Sequence, residues 1–136
     1  MTTYTYNEIW ESFLLNTKTS DINLPSDEQV IYKTIRNAGL LMANRVRFSI
    51  QFDDENEIAT LDRHDDKRDY LLLLTHHIRY VFLKNELTFF NTTWQPFQKD
   101  IGVRNFSTQL RTLTQSVEEQ EQTIRNIIKN MTEDHL

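Results

Sequence analysis

The sequence predicts a mainly α-helical protein: a small bundle of about four helices with a long C-terminal helix and a short extended segment near residues 48–61. Two observations favour helices. The chain has only two glycines and two prolines among 136 residues, and folds that are rich in tight turns use more of both. Apolar residues also recur three and four positions apart along four separate stretches, which is the spacing of one buried helix face. A chain of this length fits a single domain over residues 1–136.

A capping box marks the start of the first helix, which we predict over residues 5–15. The Thr5 hydroxyl faces one unpaired amide of the first turn, and the Glu8 carboxylate faces another. Ile9 and Phe13 then follow at helical spacing on one face.

A second capping pattern, Ser26 followed by Gln29, opens a helix predicted over residues 26–47. Gly39 lies inside this helix, where glycine costs about 1 kcal/mol relative to alanine. We therefore expect a neighbour to pack closely against Gly39.

The next segment, residues 48–61, alternates apolar and polar side chains before an acidic turn, which predicts an extended, acidic connector. The helix that follows is predicted over residues 65–91. It carries leucines and aromatic residues on more than one face, so we interpret it as the central, buried helix of the domain.

Residues 92–104 form a predicted aromatic loop that contains Trp94, Pro96 and Phe97. The last helix is predicted over residues 105–131. Its narrow apolar seam has coiled-coil spacing and one polar interruption at Gln120. We expect the C-terminal half of this helix to project, or to pack on another subunit.

The motifs of common enzymes are missing. Phosphate-cradling loops and nucleophile elbows need closely spaced glycines, but Gly39 and Gly102 are 63 positions apart. There is no cysteine, and the adjacent histidines His76 and His77 do not have the spacing of a helical zinc pair. The acidic run in residues 53–57 lacks the glycine of a calcium loop. We therefore expect no enzymatic activity, no cofactor and no metal.

The net charge of −5 argues against a dedicated nucleic-acid-binding protein. The N-terminus lacks the basic start and apolar run of a signal peptide, and the apolar run Tyr70 to Leu74 is far shorter than the ~20 residues that span a bilayer. We expect a protein that is made in a cytoplasm and does not bind membranes.

Three segments of the chain together resemble the small helical neck proteins of tailed bacteriophages, the adaptors that connect the head to the tail. The first is SDEQVIYKTIRNAGLLMANRVRF, which precedes the acidic extended piece. The second is the leucine-rich DYLLLLTHHIRYVFLKNEL. The third is TTWQPFQKDIGVRNFSTQLRTLTQSVEEQEQTIRNII, an aromatic stretch that leads into the long polar-faced helix.

This resemblance implies a structural virion protein that forms a ring of twelve identical subunits, docked under the portal protein. The ring would surround the channel through which the genome passes, without sequence-specific DNA binding. It would also provide a binding surface for a stopper or another tail-proximal protein. The resemblance further implies assembly in the cytoplasm of the bacterial host and a final location in the neck of the virion.

We predict two interaction surfaces from the apolar residues of the predicted loop 92–104 and the predicted helix 105–131. One is the aromatic loop and the other is the seam of the C-terminal helix; their residues are Trp94, Phe97, Leu110, Leu113, Val117, Ile124 and Ile127. Two other roles stay open at this stage. The chain could be a different tail or baseplate component, or a cellular helical adaptor that dimerises through its C-terminal coiled coil.

Overall fold

The structure is a computed structural model that describes residues 2–47, 49–62 and 67–134. It is mainly α-helical, with four long helices and a small three-stranded sheet, which confirms the predicted fold class. In chain order the elements are β1 (Thr2–Thr5), α1 (Tyr6–Asn16), α2 (Glu28–Val46), β2 (Ile50–Asp53), β3 (Ile58–Leu61), α3 (Lys67–Trp94), a 3-10 turn (Gln95–Phe97), α4 (Gln98–Ile101) and α5 (Val103–Asp134).

Helix α1 begins at the predicted capping box. The Glu8 amide donates to Thr5 Oγ1 at 3.0 Å, and the Thr5 amide donates to Glu8 Oε1 at 3.4 Å. Tyr6, Ile9 and Phe13 of this helix are buried. The box therefore sets where the helix starts and so which face meets the core.

Strand β1, which the sequence analysis missed, directly precedes α1. It pairs antiparallel with β3, which also pairs antiparallel with β2, so the sheet order is β1-β3-β2. Leu61 lies opposite Thr2 on one side and Ile50 on the other. Four residues are too few for a two-residue period to stand out, so only tertiary pairing reveals this strand. The predicted connector at 48–61 contains the β2–β3 hairpin; Phe48 lies outside the described residues.

Helix α2 starts one residue later than the capping pattern suggested. Asp27, not Ser26, is the N-cap, and its Oδ1 accepts from the Gln29 amide at 2.9 Å. Gly39 is buried against strand β2, as expected. A Cβ at this position would overlap the ring of Phe52 and would lie 3.2 Å from Ile50 Cδ1.

Helix α3 is the central element, and it contacts α1, α2 and α5. Its predicted start at residue 65 lies outside the described residues, and the described helix extends to Trp94, beyond the predicted end at 91. The side chains that it buries are Tyr70, Leu73, Leu74, Thr75, His77, Ile78, Val81, Phe82 and Leu83.

The predicted aromatic loop at residues 92–104 is wrong, because this segment is helical almost throughout. Helix α3 continues to Trp94, one 3-10 turn follows, α4 comes next, and α5 already begins at Val103. Pro96 lacks an amide hydrogen and its ring would clash with the carbonyl of Thr92, so α3 must end here, whereas the first turn of a new helix tolerates proline. Gly102 makes the final corner with φ 89°, a conformation that favours glycine.

Helices α3 and α5 form an antiparallel hairpin, because His76 meets Gln120 near one end and Phe90 meets Phe106 near the other. With 32 residues, α5 is ~48 Å long.

The expectation that the C-terminal half of α5 projects is wrong. This half packs on α3 in the same chain, where Val117, Ile124 and Met131 are buried. The polar interruption at Gln120 is buried too. Its side-chain amide is paired, because Nε2 donates to the backbone oxygen of His76 at 3.1 Å and Oε1 accepts from Arg79 Nε at 3.0 Å. A satisfied amide costs little to bury, so the seam continues past it.

Within residues 2–47, 49–62 and 67–134, no helix is both long enough and apolar enough to cross a membrane.

His77 is a fully buried titratable group at the centre of α3. Its Nδ1 lies 2.8 Å from the carbonyl oxygen of Leu73, which only accepts hydrogen bonds, so Nδ1 carries the proton. The other ring nitrogen, Nε2, is buried without a partner. Burial is the largest cause that lowers the pKa of His77 to about 4; the nearby charges act in both directions, since Arg45 lowers the pKa and Glu121 raises it.

The first prediction concerns Gly39. Gly39→Ala should lower the free energy of unfolding by about 1–2 kcal/mol, because the energetic cost of the overlap with the Phe52 ring exceeds the free energy gained from the higher helix propensity of alanine. The double variant Gly39→Ala/Phe52→Leu should recover most of this loss in urea denaturation. Asn37→Ala, at an exposed position of the same helix, is the matched control and should not destabilise the protein. A stabilising Gly39→Ala would contradict the close packing.

The second prediction concerns pH. Because the pKa of His77 is about 4 in the folded chain and about 6.5 unfolded, the unfolded chain binds more protons between those values. The contribution of neutral, buried His77 to the free energy of unfolding is therefore fully present above about pH 6.5 and decreases as the pH falls through this window. The free energy of unfolding should decrease by about 2 kcal/mol between about pH 7 and pH 5.

The measurement is urea denaturation at several pH values, for the natural chain and for His77→Leu. The variant should lose less than half as much stability over the same window, since His76, whose pKa is also lowered by burial, is left. Equal pH dependence of the two proteins would show that His77 does not carry the effect.

Candidate functional site

The two-helix hairpin of α3 and α5 extends beyond the rest of the domain. The described hydrogen bonds and ring contacts that join α3 to α1, α2 and the segment 17–27 all involve α3 residues up to Glu86. We call residues 87–115, which lie past this point, the distal hairpin.

A small apolar interior holds the distal hairpin together. The rings of Phe90 and Phe106 stack with centroids 5.2 Å apart, and Phe106 is buried. Leu110 and Leu113 are half-buried in the same hairpin, and Leu87, at its base, packs against the main core. The two helices therefore stay paired to the end of the hairpin and hold its outer side chains in place.

Four large apolar side chains are left exposed around the end of this hairpin: Phe89 is 64% exposed, Trp94 41%, Phe97 50% and Val103 56%. We call these four residues the hairpin tip. The rings of Trp94 and Phe97 contact each other edge to face, 6.4 Å apart. Single exposed apolar residues are common, but several large ones grouped at one end of a protein mark an interaction site.

A groove of about 410 Å³ runs from the tip towards the body of the domain. Phe89, Trp94 and Leu113 line its apolar side, and Asn23 and Glu86 line its polar side. The Asn23 amide donates to Glu86 Oε1 at 2.7 Å, so two of the lining residues also join the segment 17–27 to α3. The tip thus offers both a convex aromatic surface and a shallow recess beside it.

The predicted interaction residues divide into two groups. Trp94 and Phe97 are exposed at the tip. Leu110, Leu113 and Ile127 are half-buried, and Leu113 joins Trp94 in the groove.

The other two predicted residues, Val117 and Ile124, are buried in the core of their own chain. They are therefore not available to a partner in this conformation, because α3 already covers the C-terminal half of the seam.

Sequence reasoning missed Phe89 and Val103 as exposed tip residues. A signal existed for Phe89: it is adjacent to Phe90, and neighbouring side chains on a helix diverge by about 100°. Only one of the two rings can therefore face α5. No comparable signal marks Val103, which fits the spacing of the buried seam but lies beyond the helices that could cover it.

The distal hairpin also differs in charge from the rest of the chain. Residues 87–115 contain Lys99, Arg104 and Arg111 but only one acid, Asp100. The net charge of this segment is +2, and the remainder of the chain carries −7. The exposed apolar tip is therefore set in a weakly basic surface on an acidic protein.

Charged hydrogen bonds anchor the base of the hairpin to the body. Arg45 of α2 makes two parallel bonds of 2.8 Å to the Glu121 carboxylate of α5, and its guanidinium lies 5.6 Å from the centre of the Tyr80 ring. The hydrogen bonds from Arg45 are the largest cause that lowers the pKa of Glu121. Arg79 similarly holds both carboxylate oxygens of Asp21 and lowers its pKa. These contacts fix the direction in which the hairpin leaves the body.

The four tip side chains present rings and alkyl groups, which can bind a partner through apolar contacts. In the part of the chain that the structure describes, no three histidine, aspartate or glutamate side chains converge in a way that could hold a metal ion.

Comparison with known proteins identifies the family. Residues 1–133 match a protein family described as YomZ prophage protein. The chain is also 45% identical over 131 residues to the SPbeta prophage-derived protein YomZ of Bacillus subtilis (strain 168), which covers 96% of this chain and 98% of that protein. No solved structure matches the chain. The predicted phage origin is therefore confirmed, and the chain belongs to the YomZ prophage protein family.

Proposed function

We propose that this protein is a non-enzymatic structural component of the phage neck, where it forms a ring between the portal protein and the tail. The observation that carries the proposal is the exposed hairpin tip on a rigid helical hairpin. A ring of twelve copies, as the resemblance to neck adaptors implies, would surround the DNA channel. It would assemble in the bacterial cytoplasm and remain in the virion.

The tip has the size and composition of an interface anchor. Removing one large apolar side chain from water contributes about 1.5–3 kcal/mol, so four of them supply several kcal/mol to an assembly. Aromatic residues, tryptophan above all, dominate interface energies. Because the paired helices hold these rings in place, docking costs little side-chain entropy.

The outer surface of the distal hairpin suits a position near DNA that must slide. Its exposed side chains on α5 are mostly neutral hydroxyls and amides, namely Ser107, Thr108, Gln109, Thr112 and Gln115. Its net charge of +2 is small, and the acidic remainder repels phosphates. Such a surface lets DNA pass without gripping it.

The structure disfavours a cellular adaptor that dimerises through a C-terminal coiled coil. Val117 and Ile124, the centre of that seam, are already covered by α3 of the same chain. A tail or baseplate component would use the same tip, so the binding partner distinguishes that role from the neck.

The third prediction is that the protein adds a ring to the tail-facing end of the portal encoded by the same prophage. Negative-stain electron microscopy of the mixture shows the ring and its symmetry directly. A well-formed portal that binds none of this protein, while purified tail tubes or baseplates do, would move the role to the tail.

Variants test whether the tip carries this binding. Trp94→Ser/Phe97→Ser should weaken ring formation about a hundredfold or more, because each buried aromatic anchor contributes ~2 kcal/mol. The control, Leu15→Ser/Leu72→Ser, removes two apolar side chains that are also exposed, one near the end of α1 and one near the start of α3, at the opposite end of that helix from Trp94. Both variants should keep the circular-dichroism spectrum and melting temperature of the natural chain. Equal weakening by the control would remove the tip from the argument.

A further inference from the structure

A second recess lies on the body of the domain, away from the hairpin tip. Its volume is about 250 Å³, the space of roughly eight water molecules at ~30 Å³ each, which suits one long side chain. The starts of α1 and α2 and the turn between β2 and β3 form its walls. We call it the acidic recess; its lining residues are Tyr6, Asn7, Trp10, Glu28, Ile31, Tyr32 and Glu57.

Hydrogen bonds hold the parts of the acidic recess together. The Tyr6 amide donates to the carbonyl oxygen of Glu57 at 2.8 Å, which ties the β2–β3 turn to the start of α1. The Tyr32 hydroxyl donates to Glu28 Oε1 at 2.9 Å. Burial raises the pKa of Tyr32, and hydrogen bonds to both Glu28 and Glu57 raise it further. Two carboxylates therefore flank one phenol at the mouth of an aromatic recess.

This arrangement suits a cationic side chain. Glu28 and Glu57 are exposed, and neither is paired with a cation among the described residues. Trp10 is half-buried on the recess wall, and the face of a tryptophan ring attracts ammonium and guanidinium groups. A lysine or arginine that enters would meet two carboxylates and an aromatic ring together.

Two cationic side chains of this kind lie beside the hairpin tip. Lys99 is two positions after Phe97 in the chain, and Arg104 directly follows Val103. Both are exposed, and neither forms an ion pair within the described ranges. The distal hairpin and the body thus have opposite charge, +2 against −7. Opposite charges at two such surfaces speed their encounter and select them over other pairings.

One copy of the chain does not bring these two surfaces together. Trp10, on the recess wall, packs against Phe82 with ring centroids 6.1 Å apart. From Phe82 to Trp94 the helix α3 is continuous, and these twelve residues span ~18 Å at 1.5 Å each. The tip of one copy must therefore reach the recess of another.

A second apolar groove on the body fits the tip less well. It lies between α2 and α3 and is lined by Leu40, Leu41, Tyr80 and Val81. Its one charged lining residue is Lys84, which would repel Lys99 and Arg104. Charge therefore favours the acidic recess.

We propose that the hairpin tip of one copy docks on the acidic recess of a second copy, with Lys99 or Arg104 entering between Glu28 and Glu57. The two surfaces differ, so each copy offers a free tip and a free recess, and such head-to-tail contacts close into a ring when the rotation permits. The contact itself stands without the neck role; its assignment as the contact that closes the neck ring rests on the proposed function.

Chemical cross-linking tests this contact directly, because the chain has no cysteine of its own. Three single variants carry one exposed thiol each: Gln95→Cys beside the tip, Asn7→Cys at the recess and Asn44→Cys at the α2–α3 groove. They are mixed in pairs at near-millimolar concentration and treated with a short bismaleimide. Mass spectrometry then identifies the linked positions.

The expected main product links Gln95→Cys of one copy to Asn7→Cys of another. A dominant link between two Gln95→Cys copies would show tip-to-tip pairing, and a dominant link to Asn44→Cys would show docking in the groove. Either result, or no intermolecular product at all, overturns the proposal.

Charge reversal provides the second arm. Glu28→Lys/Glu57→Lys in the Asn7→Cys chain should lower the yield of the product about tenfold, because like charges then meet. Lys99→Glu/Arg104→Glu in the Gln95→Cys chain should restore it. Glu118→Lys/Glu119→Lys makes the same change in net charge on an exposed face of α5, and should leave the yield unchanged.

Glu57→Lys alone replaces the double variant if the latter does not fold. Unchanged yield after reversal at the recess would also overturn the proposal.

The two proposals fail separately. A tip-to-recess product from a protein that does not bind portal would keep the contact and reject the neck role. A ring on the portal from a protein that gives no such product would keep the neck role and reject this contact.

Discussion

Helix α3 must be covered on more than one face, and this requirement places the other helices of the protein. Its leucines and aromatic residues are distributed around nearly the whole circumference of the helix, so no single partner could cover them. Helices α1, α2 and α5 each take one side, and the rings of Trp10 and Phe13 reach Phe82 from α1. The small sheet packs outside α2, where Gly39 leaves room for Phe52.

Charged and amide side chains then determine how these helices are arranged. Arg45 joins α2 to α5 through Glu121, and Arg79 joins α3 to the segment 17–27 through Asp21. Gln120 completes the set by binding His76 and Arg79 at once. Charge-assisted and paired hydrogen bonds of this kind fix orientation more than they add stability.

The exposed hairpin tip results from where this coverage stops. The described hydrogen bonds and ring contacts of α1, α2 and the segment 17–27 with α3 reach no further than Glu86, while α3 and α5 continue together beyond it. The rings that face inwards, Phe90 and Phe106, cover each other, and those that face outwards have no cover. A prophage protein with such a tip on a rigid hairpin is well suited to assembly, which is the basis of the proposed neck role.

The sequence by itself determined the features that depend on neighbours along the chain. The capping box at Thr5, the need for a close neighbour at Gly39 and the central role of α3 are local properties of spacing and side-chain type. Trp94 and Phe97 were predicted as interface anchors because large aromatic side chains dominate interface energies, and both are exposed in the structure.

The tertiary structure alone decided what depends on distant partners. Strand β1 exists because β3 pairs with it, and Gln120 is buried because His76 and Arg79 satisfy its amide. It also decided which part of the α5 seam is fully buried and which part is only half-buried. Periodicity shows that Ile124 and Leu110 lie on one apolar face, but not how far the helices of the body extend along it. Burial is set by contacts between elements far apart in the sequence, so only the packed fold separates the core from the surface left for a partner.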